Sequence, residues 1–166
     1  MQLLKLVAPA MLTPQQSYVI AAVVVGLGLI VVGFVIREGI ATSNTFNQGV
    51  SLYQQKDYKG AEIAFRQVIS RHPSNDMVHL LLGDVLMQLN LPMEAIDQFR
   101  EVIRLSPKNV DAHLRLGTAL IKQDNIEEAI ASLKTAGDLY KAQRNPQKAA
   151  QIEQLVREVS AQQSSA

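Results

Sequence analysis

The chain has 166 residues, enough for one compact domain with an additional element. Sixteen basic against fifteen acidic residues leave a formal charge of +1, which gives no sign of a nucleic-acid binder. The absence of cysteine excludes disulfides and cysteine-based metal or redox chemistry.

In chain order, residues 1–14 come first, a mostly apolar segment with one cation, Lys5. Leu3, Leu4, Val7 and Met11 can share a helical face that Pro9 interrupts, so the segment reads as an interfacial stretch or as an unordered tail. Thr13-Pro14 is a helix start, with Thr13 as N-cap and Pro14 in the first turn. From Val19 to Ile36 every residue is apolar or glycine. As a helix those residues span about 27 Å, close to the roughly 30 Å hydrocarbon core of a bilayer. A single transmembrane helix is therefore expected over residues 15–39, with Tyr18 at headgroup level and Arg37 snorkelling at the other end. A cleaved signal peptide is the competing reading, but the apolar run is long and starts late. Ala22, Gly26 and Gly33 form one stripe on that helix, along which another membrane helix can approach. Gly26, Gly28 and Gly33 do not make a dinucleotide fingerprint, because Val31 stands where the third glycine is required. Arg37, Lys56 and Lys59 after the run, against Lys5 before it, favour the C-terminal part of the chain on the cytoplasmic or stromal side. Gly39 to Ser43 reads as a short link, with Thr42 or Ser43 capping the next helix.

Residues 42–143 then repeat with a period of 34. Gly49, Gly83 and Gly117 form one column, Ala61, Ala95 and Ala129 a second, and Leu52, Leu86 and Leu120 a third. Phe65, Phe99 and Leu133 form a fourth, Gln48, Leu82 and Leu116 a fifth, and Pro73 and Pro107 a sixth that lapses at Lys141. Apolar residues before and after each mid-repeat turn follow helical spacing, so each unit (42–75, 76–109, 110–143) predicts an antiparallel helix pair. The glycine and alanine columns sit where the paired helices cross, and the Phe/Phe/Leu column fills space toward the next unit. Asp57, Asn90 with Pro92, and Asp124-Asn125 mark the mid-repeat turns, their Asx side chains capping the second helix. Asn145-Pro146 repeats the start signal, and Ala149, Ile152, Leu155, Val156 and Val159 give one apolar stripe. A capping helix is expected over 145–160 and a disordered tail over 161–166.

A gapless 34-residue period with two small columns and a late proline resembles the tetratricopeptide repeat (TPR) family. The departures are Thr45, His79 and His113 at the early aromatic column, and Lys141 for the last proline. The resemblance implies that residues 42–143 form a right-handed three-repeat α-solenoid, so that with the expected transmembrane helix and C-terminal capping helix the fold is all-α. It also implies a concave groove lined by the first helices. On this chain the groove comprises Phe46, Val50 and Tyr53, then Met77, Leu80, Asp84 and Met87, then Asp111, Leu114, Thr118, Ile121 and Lys122. Such a surface suits an amphipathic helix or an extended apolar peptide. The clamp that some family members use to hold an acidic C-terminal tail is absent. Only Arg115 matches it, while Phe46, Val50, Leu81 and Asp111 replace its Lys and Asn positions.

Arg66, Arg100 and Lys134 form a further 34-spaced column, which reads as a solvated face paired to acids on the same helices (Glu62, Asp97). His79 and His113 share a column without carboxylate or thiolate neighbours and read as packing residues. No catalytic arrangement, metal site, cofactor or small-molecule substrate is expected. The architecture as a whole resembles thylakoid TPR proteins that assist photosystem I assembly. That resemblance implies a membrane-anchored scaffold whose partners are membrane-complex subunits, other assembly factors and the lipid itself, in a thylakoid or bacterial inner membrane. Two alternatives stand beside it: a bacterial envelope protein tied to the translocon or to chaperones, and a permanent structural subunit of a membrane complex.

Overall fold

A computed structural model describes residues 14–164, with side chains undescribed at 14–17, 19–21, 38–41 and 162–164. The expected interfacial segment up to residue 13 and the last two residues of the expected tail lie outside the described residues. Among the described residues all regular structure is helical: α1 (Pro14–Gln54), α2 (Tyr58–Arg71), α3 (Asp76–Gln88), α4 (Pro92–Leu105), α5 (Val110–Lys122), α6 (Ile126–Ala142) and α7 (Pro146–Ser164). The chain divides into two compact units, Met1–Ala41 and Thr42–Ala166.

In the first unit, the helix bears large apolar side chains that nothing covers. Val23, Val24, Val25, Leu27, Leu29, Ile30, Val31, Val32, Phe34, Val35 and Ile36 are all more than half exposed. This helix is long and apolar enough to cross a membrane. The expected link at Gly39–Ser43, with its cap at Thr42 or Ser43, does not occur. α1 stays helical through these residues, because one glycine costs a helix only about 1 kcal/mol and nothing else there breaks it.

In the second unit, successive helices pack on their neighbours from α2 to α7, and α3 also touches α5. The repeat columns explain the packing. Ala61, Ala95 and Ala129 are fully buried, as are Phe65, Phe99 and Leu133. The aromatic column fills space inside its own hairpin. A Cβ on Gly83 would lie 2.3 Å from Phe99 Cε1, one on Gly49 2.7 Å from Phe65 Cε1, and one on Gly117 2.7 Å from Leu133 Cγ. Phe65, Phe99 and Leu133 therefore each rest on the bare backbone of the glycine in the same repeat, a contact the sequence reading did not name. The remaining column lapses at Gln48, which is exposed where Leu82 and Leu116 are buried.

The turns divide into two kinds. Each mid-repeat turn closes with an amide that reaches back five residues: Asp57 N to Leu52 O at 2.9 Å, Leu91 N to Leu86 O at 2.9 Å and Asn125 N to Leu120 O at 3.0 Å. That closure requires a left-handed residue just before it, and Lys56, Asn90 and Asp124 supply it with φ near +60°. Asn90 and Asp124 thus end first helices and do not cap second ones, contrary to the sequence reading. α4 begins at Leu91-Pro92 without a side-chain cap, and Asn125 makes no cap bond either. Asp57 does cap α2, accepting from Gly60 N at 3.0 Å. Between repeats, Asn75 and Asn109 cap α3 and α5, accepting from Val78 N at 3.2 Å and Ala112 N at 3.1 Å.

With Lys141 in place of proline, α6 runs to Ala142, longer than α2 or α4. It then turns through Arg144, at φ 58°, into α7, which is the mid-repeat closure again (Asn145 N to Tyr140 O, 2.9 Å). α7 buries Ala149, Val156 and Val159 and closes a second apolar cluster with Val110, Ala136 and Tyr140. It continues to Ser164 where a disordered tail was expected from 161. Its Ala, Gln and Ser residues tolerate a helix, and Ser160 Oγ donates to Val156 O at 2.7 Å.

Candidate functional site

The first helices of the three repeats are residues 42–54 of α1, together with α3 and α5. Each carries a row of exposed or half-exposed residues. In the first repeat Phe46, Val50 and Tyr53 are partly buried against the core. Phe46 is tilted on Phe65 at 6.1 Å between ring centroids, and Tyr53 meets Tyr58 edge-on at 5.8 Å. In the second, Met77 is 55% exposed, while Met87 is half-buried. In the third, Thr118 and Lys122 are exposed, and Leu114 and Ile121 are half-buried. Thr118 Oγ1 donates to Leu114 O at 3.0 Å. Leu80 departs from the rest. It is 7% exposed and belongs to the core, so it forms floor and not lining.

The sequence reading missed the electrostatic centre of this face. Arg115 on α5 donates to Oδ1 of Asp84 on α3 and joins the second repeat to the third. The Asp84 side chain is only 14% exposed. Burial pushes its carboxyl above the usual carboxylate range; Arg115 opposes that shift, and Asp111 adds to it. We give burial the greater weight, because a single cation that is itself 39% exposed cannot replace the hydration Asp84 has lost. Tyr53 responds to the same group: burial first and Asp84 second hold its hydroxyl above the ordinary phenol value, so it stays a donor. Asp84 and Arg115 thus join the second repeat to the third, and Tyr53 of the first lies within their electrostatic reach. The one residue that matched the acidic-tail clamp, Arg115, is occupied by an internal carboxylate.

The other candidates resolve into structural roles. Arg66 bonds Glu62 at 3.0 Å on its own helix and Glu94 of the next repeat at 2.6 Å. Arg100 pairs with Glu128 at 2.7 Å, where Asp97 was expected. Both inter-repeat pairs span 28 residues, so the basic column is a ladder tying second helices together. His79 is buried, its Nε2 donating to Pro73 O at 2.9 Å and its Nδ1 lying 2.8 Å from the Gln98 side-chain amide. His113 Nε2 likewise donates to Pro107 O at 3.1 Å. Each histidine fastens the loop between repeats to the following helix. Among the described residues no group of three His, Cys, Asp or Glu side chains converges as for a metal. A surface depression of about 540 Å³ lies at residues 71–76, and no residue of the first-helix face lines it. In the apolar helix, Ala22 and Gly33 are exposed, and a Cβ added at Gly26 or Gly33 meets nothing within 4 Å.

Two family models described as tetratricopeptide repeat match residues 45–75 and 80–141, together more than half the chain. Among solved structures, the TPR2B domain of yeast Sti1, from a TPR2B-domain:pHsp70 complex, has a TM-score of 0.67 at 24% identity. The match covers 74% of this chain and 98% of that one. The TPR domain of Arabidopsis OM64 has a TM-score of 0.62 at 22% identity, covering 71% and 95%. The Yersinia enterocolitica type III secretion chaperone SycD, in complex with a peptide of the translocator YopD, has a TM-score of 0.65 at 14% identity, covering 73% and 93%. At these identities the likeness is one of fold. No curated protein matches the chain.

Proposed function

The chain belongs to the tetratricopeptide repeat family, and on that premise we propose that it is a membrane-anchored scaffold that captures protein segments on its first-helix face. The observation that carries the capture is the composition of that face: apolar and methionine side chains left exposed or half-open on helices that also carry the half-buried Asp84–Arg115 pair. Methionine adapts to varied shapes, and an apolar strip of this kind favours an amphipathic helix. Two of the solved relatives are described with a bound partner, a pHsp70 and a translocator peptide. The occupied Arg115 argues against an acidic tail as the ligand here.

The anchoring rests on the uncovered apolar helix of the first unit. Tethering concentrates the face near membrane clients, so weak contacts suffice. Ala22, Gly26 and Gly33 then offer a close-packing stripe to another membrane helix. The finer reading, a factor assisting photosystem I assembly on the stromal side of a thylakoid, rests on the resemblance of one span followed by three repeats.

Leu80 is unsuited to testing the face, because a charge there would break the core. The better variant is Met77→Glu with Thr118→Glu, both exposed. Co-purification from solubilised membranes should lose its partners in this variant while far-UV helicity stays unchanged. Full recovery of the same partners would reject the face.

A further inference from the structure

Charge on the first-helix face is unevenly placed. The groups acting on Asp84 are one cation, Arg115, and one further carboxylate, Asp111, a turn before Arg115 on α5. Lys122 stands two turns beyond Arg115. The centre of the face therefore holds two carboxylates to one guanidinium, and one of those carboxylates is nearly dry. The same first helices carry Val50, Tyr53, Met77, Met87, Leu114 and Ile121. A bound segment with no charge would remove the remaining water from Asp84 and leave it a single partner. One with a carboxylate would bring a third negative charge to the spot. One with a cation would satisfy the second oxygen of Asp84 and neutralise Asp111 together.

We infer that the captured segment is an amphipathic helix whose apolar anchors flank one lysine or arginine, with the cation lodging against Asp84 and Asp111. This inference rests on the docking reading above and specifies its ligand by charge. Burial of Asp84, which raises the cost of its ionised form, acts in the same direction.

The test uses the full chain in lipid nanodiscs and three synthetic amphipathic peptides, identical except for Lys, Gln or Glu at the centre of the apolar strip. Fluorescence anisotropy should rank them Lys, Gln, Glu, with about tenfold between the extremes. The ranking should fade at about 1 M salt, where screening acts within about 3 Å. Asp111→Asn should cut the Lys-over-Glu preference by about threefold with little effect on the Gln peptide. Equal binding of the Lys and Glu peptides, or tighter binding of Glu, overturns the charge inference alone. Undiminished binding of the Lys peptide to Met77→Glu with Thr118→Glu would place binding elsewhere and overturn the docking face too. Failure of all three peptides to bind overturns the docking face as well.

Discussion

The two units are built from the same kinds of residue and use them oppositely. In the repeats, Phe65 and Phe99 are buried and glycine is the floor beneath each: Phe99 is inaccessible and lies where a Cβ on Gly83 would have to go. In the N-terminal helix, Phe34 is 62% exposed and Gly33 beside it has no neighbour at all. An apolar side chain stabilises a fold only where something covers it. On the reading proposed above, lipid or another membrane helix supplies that cover in the first unit.

The sharpest contrast is between the two phenylalanines. Phe99→Ala should cost the repeat unit about 3–5 kcal/mol, because it removes a fully buried ring and leaves a cavity between helices. Phe34→Ala should leave the same unfolding transition within about 0.5 kcal/mol. Chemical denaturation followed by circular dichroism measures both. The glycines come next. Gly83→Ala should destabilise by about 1–3 kcal/mol, since the ring must move off the backbone. Gly33→Ala meets open space and should favour its helix by up to about 1 kcal/mol. A stabilising Gly83→Ala would show that the ring does not rest where described. Smaller again is the cap: Asn75→Ala should cost about 1 kcal/mol by releasing the amide of Val78. The smallest effect belongs to the ladder. Arg100→Gln should change stability by no more than about 0.5 kcal/mol, because both partners are substantially exposed to solvent, and a loss several times larger would mean that the ladder holds the stack together.

The sequence disclosed what repeats and hid what reaches across. The glycine, alanine and aromatic columns were legible because each is a contact inside one hairpin, repeated at a fixed spacing. The turns were legible only in part. Lys56 and Arg144 adopt the left-handed conformation that Asn90 and Asp124 also adopt, and neither residue type advertises it. In consequence Asn90 and Asp124 end the first helices, whereas Asp57 caps the second helix as its sequence position implies. The continuity of α1 through residues 39–43 was hidden by treating Gly39 as a break. At the site, Phe46, Val50, Tyr53, Met77 and Met87 could be placed from the register alone. The Asp84–Arg115 pair could not, since it joins residues 31 apart on different repeats and depends on the length of one arginine. The ladder is hidden for the same reason: Glu62 does pair with Arg66 one turn away, but the partners that join repeats, Glu94 and Glu128, lie 28 residues away on the next second helix.

Hydrogen exchange on the full chain in lipid nanodiscs, with and without the lysine-bearing peptide, tests most directly whether the first helices are the working face. The account predicts added protection in residues 46–54, 76–88 and 111–122, with α2, α4 and α6 unchanged. Protection gained on the second helices and not on the first would contradict it.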